Sequence, residues 1–423
     1  MRSSDARRCV PRDREGRAFD YRTQFQRDRD RILHSRAFHR LRLKSYGGAM
    51  PPRERYRDRM THTLEVSQLS RTVARGLGLN EDLVEAIALG HELGTPPFGP
   101  ASEAALASVL GVRGGGFRYS AQSLRVVDRL EKWYPHAGLN LTDLTREGIL
   151  KHAPGWKTPQ ARTQIDAAGP ALEQLHIEWE PFFEAQVVAV VDEVSTVIQD
   201  VDDGLRAGAL EIDAIERLPI VKEVLARIGP GRSRRASAPG RGGLHLRAGV
   251  IYRGLTHMLV AGLIHNSQGT LQAWTRSFHV GSHEEFLRAR AAVRPATIAL
   301  NARASRMFDR LREFVERTLY QGAFLRGVAA RARRIIDGLF RTLTTDPRLA
   351  DDYLLLRFKQ DEGGRFLRDI PARAMEKEIA TRYRGNRRFA RLVADHVAGM
   401  TDLFALAEYE RLLGPLSTGG GAS

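Results

Sequence analysis

His91 and Glu92 stand side by side at the end of an apolar helical run in ALGHELGTPPFGPASEAAL (88–106). An imidazole and a carboxylate on successive residues can hold one metal ion only if further ligands come from elsewhere. The sequence offers His62, in RMTHTLEV, and Asp192, in QVVAVVDEVSTVIQDVDD. Two imidazoles with two carboxylates form a mixed nitrogen and oxygen set, suited to Mn, Fe, Ni, Zn or Co better than to Mg alone. Each residue alone has a plainer explanation, since a helical histidine is commonly a satisfied core group and a helical aspartate a surface charge. Beyond the pair come Thr95, Pro96, Pro97 and Pro100, none of which carries a group that titrates near neutral pH.

Helices must carry these residues. Val66, Leu69, Val73 and Leu77 recur at spacings of three and four, and Gly76 and Gly78 mark the end of that helix. Asn80 reads as the next N-cap, with Glu81 and Asp82 favourable in the first turn. Leu83, Ile87 and His91 then share one face. A third pattern runs through Val187, Val191, Val194, Ile198, Val201 and Leu205. On that helix Asp192, Thr196, Gln199 and Asp200 lie about one and two turns apart, so they share a face. No run alternates as strands do, which predicts an all-α fold.

GVRGGG (111–116) reads as a flexible loop, GPGRSRRASAPGRGG (229–243) as a basic linker, and PLSTGGGAS (415–423) as a loose tail. These breaks predict a basic N-terminal arm (1–24), a core (25–228), the linker, and a C-terminal helical region (244–414). The 423 residues are 42% hydrophobic, enough for a large core. No apolar run approaches the ~20 residues of a membrane span, and the N-terminus lacks a secretory pattern. Cys9 is the only cysteine, which excludes an internal disulfide and fits a reducing cytoplasm. The formal charge is +16, and only seven of the 66 basic residues are lysine. That surplus fits either a solvated arginine-rich surface or a field that attracts polyphosphate or nucleic acid.

Five segments carry a family resemblance: FQRDRDRILHSRAFHRL, THTLEVSQLSRTVARGLGLNEDLVEAIALGHELGTPPFG, AQSLRVVDRLE, LNLTDLTREGILKH and VADHVAGMTDLFALAEYERL. Together they resemble the bacterial deoxyguanosine triphosphate triphosphohydrolase family, within the HD-domain superfamily of metal-dependent phosphohydrolases. The resemblance runs from about Phe25 to about Leu413. It implies an all-helical HD fold with a C-terminal helical region, and assembly as a homo-oligomer. It also implies hydrolysis of deoxynucleoside triphosphates to deoxynucleoside and tripolyphosphate, with response to nucleotides or single-stranded DNA in some members. The implied cofactor is a divalent metal ion (Mg, Mn, Co or similar) on His62, His91, Glu92 and Asp192. Glu103 is the implied catalytic carboxylate, and Arg59, Gln122 and Asp200 the implied substrate contacts.

The chain departs from the family where the chemistry should lie. Glu92 stands for an aspartate, and its extra methylene moves the carboxylate by ~1.5 Å, against a metal–ligand tolerance of ~0.2 Å. Thr95 and Pro100 replace two histidines and Ser102 a glycine. The histidine at Pro100 would have been the water-activating partner of Glu103. Tyr119 and Ser120 replace His-Asn, Thr196 replaces a sugar-packing tyrosine, and Gln199 replaces a histidine. KSYGGAM (44–50) lacks the pocket glutamine of Lys-Thr-Gln-Val. Two readings follow: a triphosphohydrolase of reduced or altered activity, or a degenerate relative that binds nucleotides or single-stranded DNA, or partners an oligomer. For anion contact the candidates are Arg57, Arg59 and the basic cluster at 232–241, whereas His257 and His265 read as scaffold.

Overall fold

The computed structural model describes residues 7–9, 21–46, 57–111, 116–166, 175–228 and 241–414. Among them are nineteen α-helices and no strand; two isolated bridges, Arg8 with Thr142 and Ser45 with Asp58, are the only β-type pairing. The expected loop, linker and tail lie outside the described residues, save Gly111, Gly116 and 241–243, and so does most of the N-terminal arm. None of the described helices is long and apolar enough to cross a membrane.

The first part of the chain holds α1 (Gln24–Leu33), α2 (Arg36–Leu41), α3 (Arg59–Leu77), α4 (Glu81–Gly90), α5 (Pro100–Leu110) and α6 (Tyr119–Arg125). It continues with α7 (Asp143–Lys151), α8 (Pro159–Asp166), α9 (Phe183–Ala207), α10 (Ile212–Glu216) and α11 (Pro219–Ile228). The second part holds α12 (Arg241–Ser277), α13 (His283–Ala289), α14 (Ala302–Val315), α15 (Ala323–Thr345), α16 (Asp352–Glu362), α17 (Ala372–Glu378), α18 (Arg387–Gly399) and α19 (Asp402–Leu413). Helix α12 begins three residues inside the expected linker.

The helices that carry the site start and stop where their end residues dictate. Asp58 caps α3 by accepting the Thr61 N–H at 2.7 Å, and Gly78 closes it at φ 68°. Asn80 caps α4 by accepting the Leu83 N–H at 3.0 Å. Val66 and Val73 of α3, Leu83 and Ile87 of α4, and Val187 and Val191 of α9 meet in one cluster. Leu263 and Trp274 of α12 belong to that cluster too, so residues from both sides of 229–240 share it. Truncating a buried aliphatic such as Ile87 to alanine costs roughly 2–5 kcal/mol.

Helix α7 lies unusually close to α4. A Cβ on Gly148 would sit 2.3 Å from the Ile87 Cδ1, and one on Gly90 2.4 Å from the Ile149 Cδ1. Glycine at both crossing points is what lets the two backbones approach, and it brings His152, the C-cap of α7, against His91. Phe98 in the turn before α5 holds a left-handed backbone, φ 61°. Its ring is buried in the cluster formed by α5 with α15, α16, α18 and α19.

Candidate metal centre

Three helix segments deliver the chemistry. His62 lies in the first turn of α3, His91 and Glu92 follow the end of α4, and Asp192 lies midway along α9. The His62 Nε2 is 3.0 Å from the Asp192 Oδ1, and the His91 Nε2 is 3.6 Å from the same oxygen. His62, His91 and Glu92 are buried, and their ligand atoms all lie within 4.8 Å of one another. Asp192 joins them through the two imidazoles. The His91 Nδ1 donates to the Ala88 carbonyl at 2.5 Å, which leaves the Nε2 lone pair facing the cluster. That Nε2 is buried and has no hydrogen-bond partner. An unshared, buried imidazole nitrogen beside two carboxylates is what a divalent cation would use, so the donor set fits a metal.

The charges point the same way. Burial opposes ionisation of Asp192, yet the hydrogen bond from His62 and the neighbouring His91 override it and hold the carboxyl well below its usual range. Burial opposes a charged His91, and Asp192 then Glu92 push its pKa above the ordinary value. These groups favour positive charge between them.

Glu92 is tied differently. Its Oε1 receives the Arg59 Nη1 at 2.6 Å, and its Oε2 receives the Thr95 hydroxyl. Burial opposes its charge, but Arg59, His91 and His62 together hold it at about 2. The longer side chain thus reaches two donors of its own, and Thr95, at a family histidine's place, is one of them. Each oxygen keeps a further lone pair for a cation.

A cavity of about 160 Å³ opens beside this cluster, lined by Tyr46, Arg59, Glu92, Thr95, Glu103, Tyr119, Asp192, Thr196 and Tyr320 among others. Glu103 faces it from the first turn of α5 and accepts the Tyr119 N–H at 3.3 Å. Burial raises its pKa against the pull of Arg118. Pro100 occupies the first position of α5, so no imidazole stands there. Asp200 accepts the Tyr320 hydroxyl. Gln122 is not brought to this cavity: it donates to the Asp395 Oδ1 at 3.0 Å, accepts from Gln164 at 3.2 Å, and lines a separate cavity of about 600 Å³. Arg57 is paired with Asp202 and Asp203, at 3.1 and 2.7 Å. His257 and His265 lie exposed along α12.

Sequence reasoning missed five residues here. Tyr46, in the KSYGGAM segment, stacks on His62 with ring centroids 4.3 Å apart. His152, the last letter of LNLTDLTREGILKH, lies 5.1 Å from the His91 ring. It donates from Nδ1 to the Ile149 carbonyl at 2.7 Å and bonds the Tyr119 hydroxyl at Nε2, 3.0 Å away. Burial and the neighbouring His91 lower its pKa to about 4, so it is neutral at pH 7. The Lys44 ammonium, buried, donates to the carbonyls of Thr95 and, at 2.8 Å, Ala398. Asp402 accepts the N–H of Phe98 at 3.0 Å and of Ser45 at 2.9 Å. Tyr320 arrives from beyond α14, with no local pattern to announce it.

Comparison with known proteins gives the chain its relatives. Residues 59–196 match the HD domain, and residues 364–411 match a phosphohydrolase-associated domain. The first match begins at Arg59 and ends at Thr196, enclosing all four proposed ligands, and HD domains are metal-dependent. The deoxyguanosinetriphosphate triphosphohydrolase-like protein of Ralstonia pickettii is 36% identical over 92% of this chain and 88% of its own length. Namesakes from Bordetella pertussis and Nitrosomonas europaea are each 35% identical over 92% of this chain, covering 90% and 91% of their own lengths. By this similarity along nearly its whole length, the chain belongs to the family of deoxyguanosinetriphosphate triphosphohydrolase-like proteins.

Proposed function

We propose that this chain is a metal-dependent hydrolase of deoxynucleoside triphosphates, releasing deoxynucleoside and tripolyphosphate, with reduced or altered turnover. The convergence of the two imidazole Nε2 atoms on Asp192 carries the reading. His62, His91 and Asp192, with Glu92, would hold the ion, which supplies charge to polarise a phosphate and acidify a water. Their mixed donors favour Mn or Co over Mg.

The chain's own groups do the rest. In the reaction a water oxygen joins the α-phosphorus, the bond to the 5′-oxygen breaks, and a proton reaches that oxygen. Glu103 faces the cavity and takes the proton from water, its raised pKa making it a better base than an ordinary glutamate. Arg59 offers positive charge to the phosphate chain while holding Glu92. Pro100 gives Glu103 no imidazole partner, and losing one acid–base group costs ~10²–10⁴ in rate. The test is a panel of deoxynucleoside triphosphates incubated with Mg, Mn or Co, assayed by chromatography for tripolyphosphate. Turnover no greater than that of His91→Ala and Asp192→Ala would overturn the reading.

A second reading has its own observation. The 600 Å³ cavity is lined by Arg36, Arg40, Lys132 and Arg357, with Trp133, Tyr353 and Phe404 among its walls. The Arg357 guanidinium donates to the Tyr353 hydroxyl at 2.9 Å and the Arg129 carbonyl at 2.6 Å. Cations beside exposed aromatic rings suit phosphate and base together. On this reading the chain is a nucleotide- or single-stranded-DNA-binding regulator in the cytoplasm, acting as a homo-oligomer. It predicts binding without turnover that weakens steeply with salt, and light scattering reports the oligomer.

A further inference from the structure

Gln199 stands where the family carries a histidine, two turns along α9 from Asp192. Its side chain bonds both His62 and Glu65 of α3. The Oε1 lies 2.7 Å from the His62 Nδ1, and the Nε2 donates to the Glu65 Oε2 at 2.6 Å. Glu65 also receives the Tyr252 hydroxyl at 2.8 Å and the Arg57 Nε at 3.2 Å.

The chemistry of these groups leaves one orientation. A carboxylate accepts and does not donate, so the amide must turn its NH₂ toward Glu65. Its carbonyl oxygen is then the atom facing His62, and the Nδ1 of His62 must carry a proton to meet it. By the same rule the His62 Nε2, 3.0 Å from the Asp192 Oδ1, donates to that carboxylate in the absence of an ion, and it is the ring nitrogen left facing the cluster. Arg57 fixes Glu65 in turn, itself held by Asp202 and Asp203 and lying over the Tyr252 ring, 5.1 Å from its centroid. The chain of dependence runs from α12 through Glu65 and Gln199 to His62.

We infer that Gln199, locked by Glu65, is a positioning residue that keeps the His62 Nδ1 protonated and aims its Nε2 as a ligand. Partners of this kind behind a ligating imidazole set its tautomer, and losing one weakens metal affinity ~10–100-fold. The inference rests on the metal reading of the site and deepens it, because a replacement that looks like a lost catalytic group becomes a working part.

The test compares wild type with Gln199→Leu and Glu65→Ala in two measurements. The first is NMR of metal-free protein with ¹⁵N-labelled histidine, His62 being assigned by its loss in His62→Gln. Wild type shows a slowly exchanging Nδ1–H on His62, and both variants lose it or exchange it at least about tenfold faster. The second is Mn²⁺ affinity by electron paramagnetic resonance, which falls ~10–100-fold in Gln199→Leu. Glu65, on the solvent side of the relay, supplies a second variant should Gln199→Leu fail to fold. A His62 that carries its proton on Nε2 alone overturns the inference, as does an unchanged Nδ1–H and Mn²⁺ affinity within about twofold in both variants. If wild type shows the Nδ1–H but takes up no Mn²⁺, the metal reading falls while the role of Gln199 in setting the tautomer stands.

Discussion

Asp200→Asn should stabilise the protein, and increasingly so as pH rises. Asp200 is 4% exposed, and its carboxyl accepts the Tyr320 hydroxyl. Burial, reinforced by Asp203, raises its pKa from 3.8 to about 7 despite the Tyr320 hydrogen bond. Between pH 3.8 and 7 the folded chain therefore binds more protons at this site than the unfolded chain. Unfolding free energy falls as pH climbs through that window and stays reduced above it. A shift of about three units is worth roughly 4 kcal/mol at most, at 1.36 kcal/mol per unit. Asparagine keeps an acceptor for Tyr320 and removes the charge, so the variant escapes the penalty. Paired thermal melts of wild type and Asp200→Asn from pH 4 to 8.5 should show little difference at the acid end. The variant's advantage should then grow and level off above about pH 7. An advantage that is constant with pH, or that shrinks as pH rises, would refute the reasoning.

Other expectations follow from the same contacts. Arg59→Met leaves Glu92 buried without its cation; stability should fall by roughly 3–5 kcal/mol, read by denaturant titration. Gly94→Ala places a Cβ 2.2 Å from the Ser123 nitrogen and 2.4 Å from the Tyr119 oxygen. Backbone must move, so both melting temperature and Mn²⁺ uptake should drop. Asp402→Ala removes the acceptor of the Phe98 and Ser45 N–H groups, costing roughly 1–3 kcal/mol for each N–H left unpaired and speeding proteolysis near Phe98. Chelation should abolish hydrolysis, and Mn or Co should restore it better than Mg.

The helices that carry the site were legible because their signals are local. Asn80 caps α4 and Val187 to Leu205 bury one face of α9 through hydrogen bonds and spacings a few residues wide. His62, His91 and Asp192 were legible as a set, since ligand chemistry restricts residue types. Partners fixed by tertiary approach were not. Tyr320 meets Asp200 across 120 positions, and Asp402 reaches Phe98 across 304; no periodicity encodes either. Gln122 illustrates the converse. The resemblance implied a substrate contact for it, while its amide donates to Asp395 of α18. Thr95 was legible as a departure, but its bond to Glu92 depends on a side-chain length that spacing does not reveal.

The clamp on the turn before α5 has a consequence for biosynthesis. Lys44 and Thr95 leave the ribosome long before Ala398 and Asp402 do. Until then the Lys44 ammonium lacks its second carbonyl, and Phe98 must hold its left-handed backbone without the carboxylate that receives its N–H. A nascent chain therefore carries all four proposed ligands long before it can shape the cavity beside them. The proposed site is therefore completed by tertiary contacts that form only after its own residues have been made.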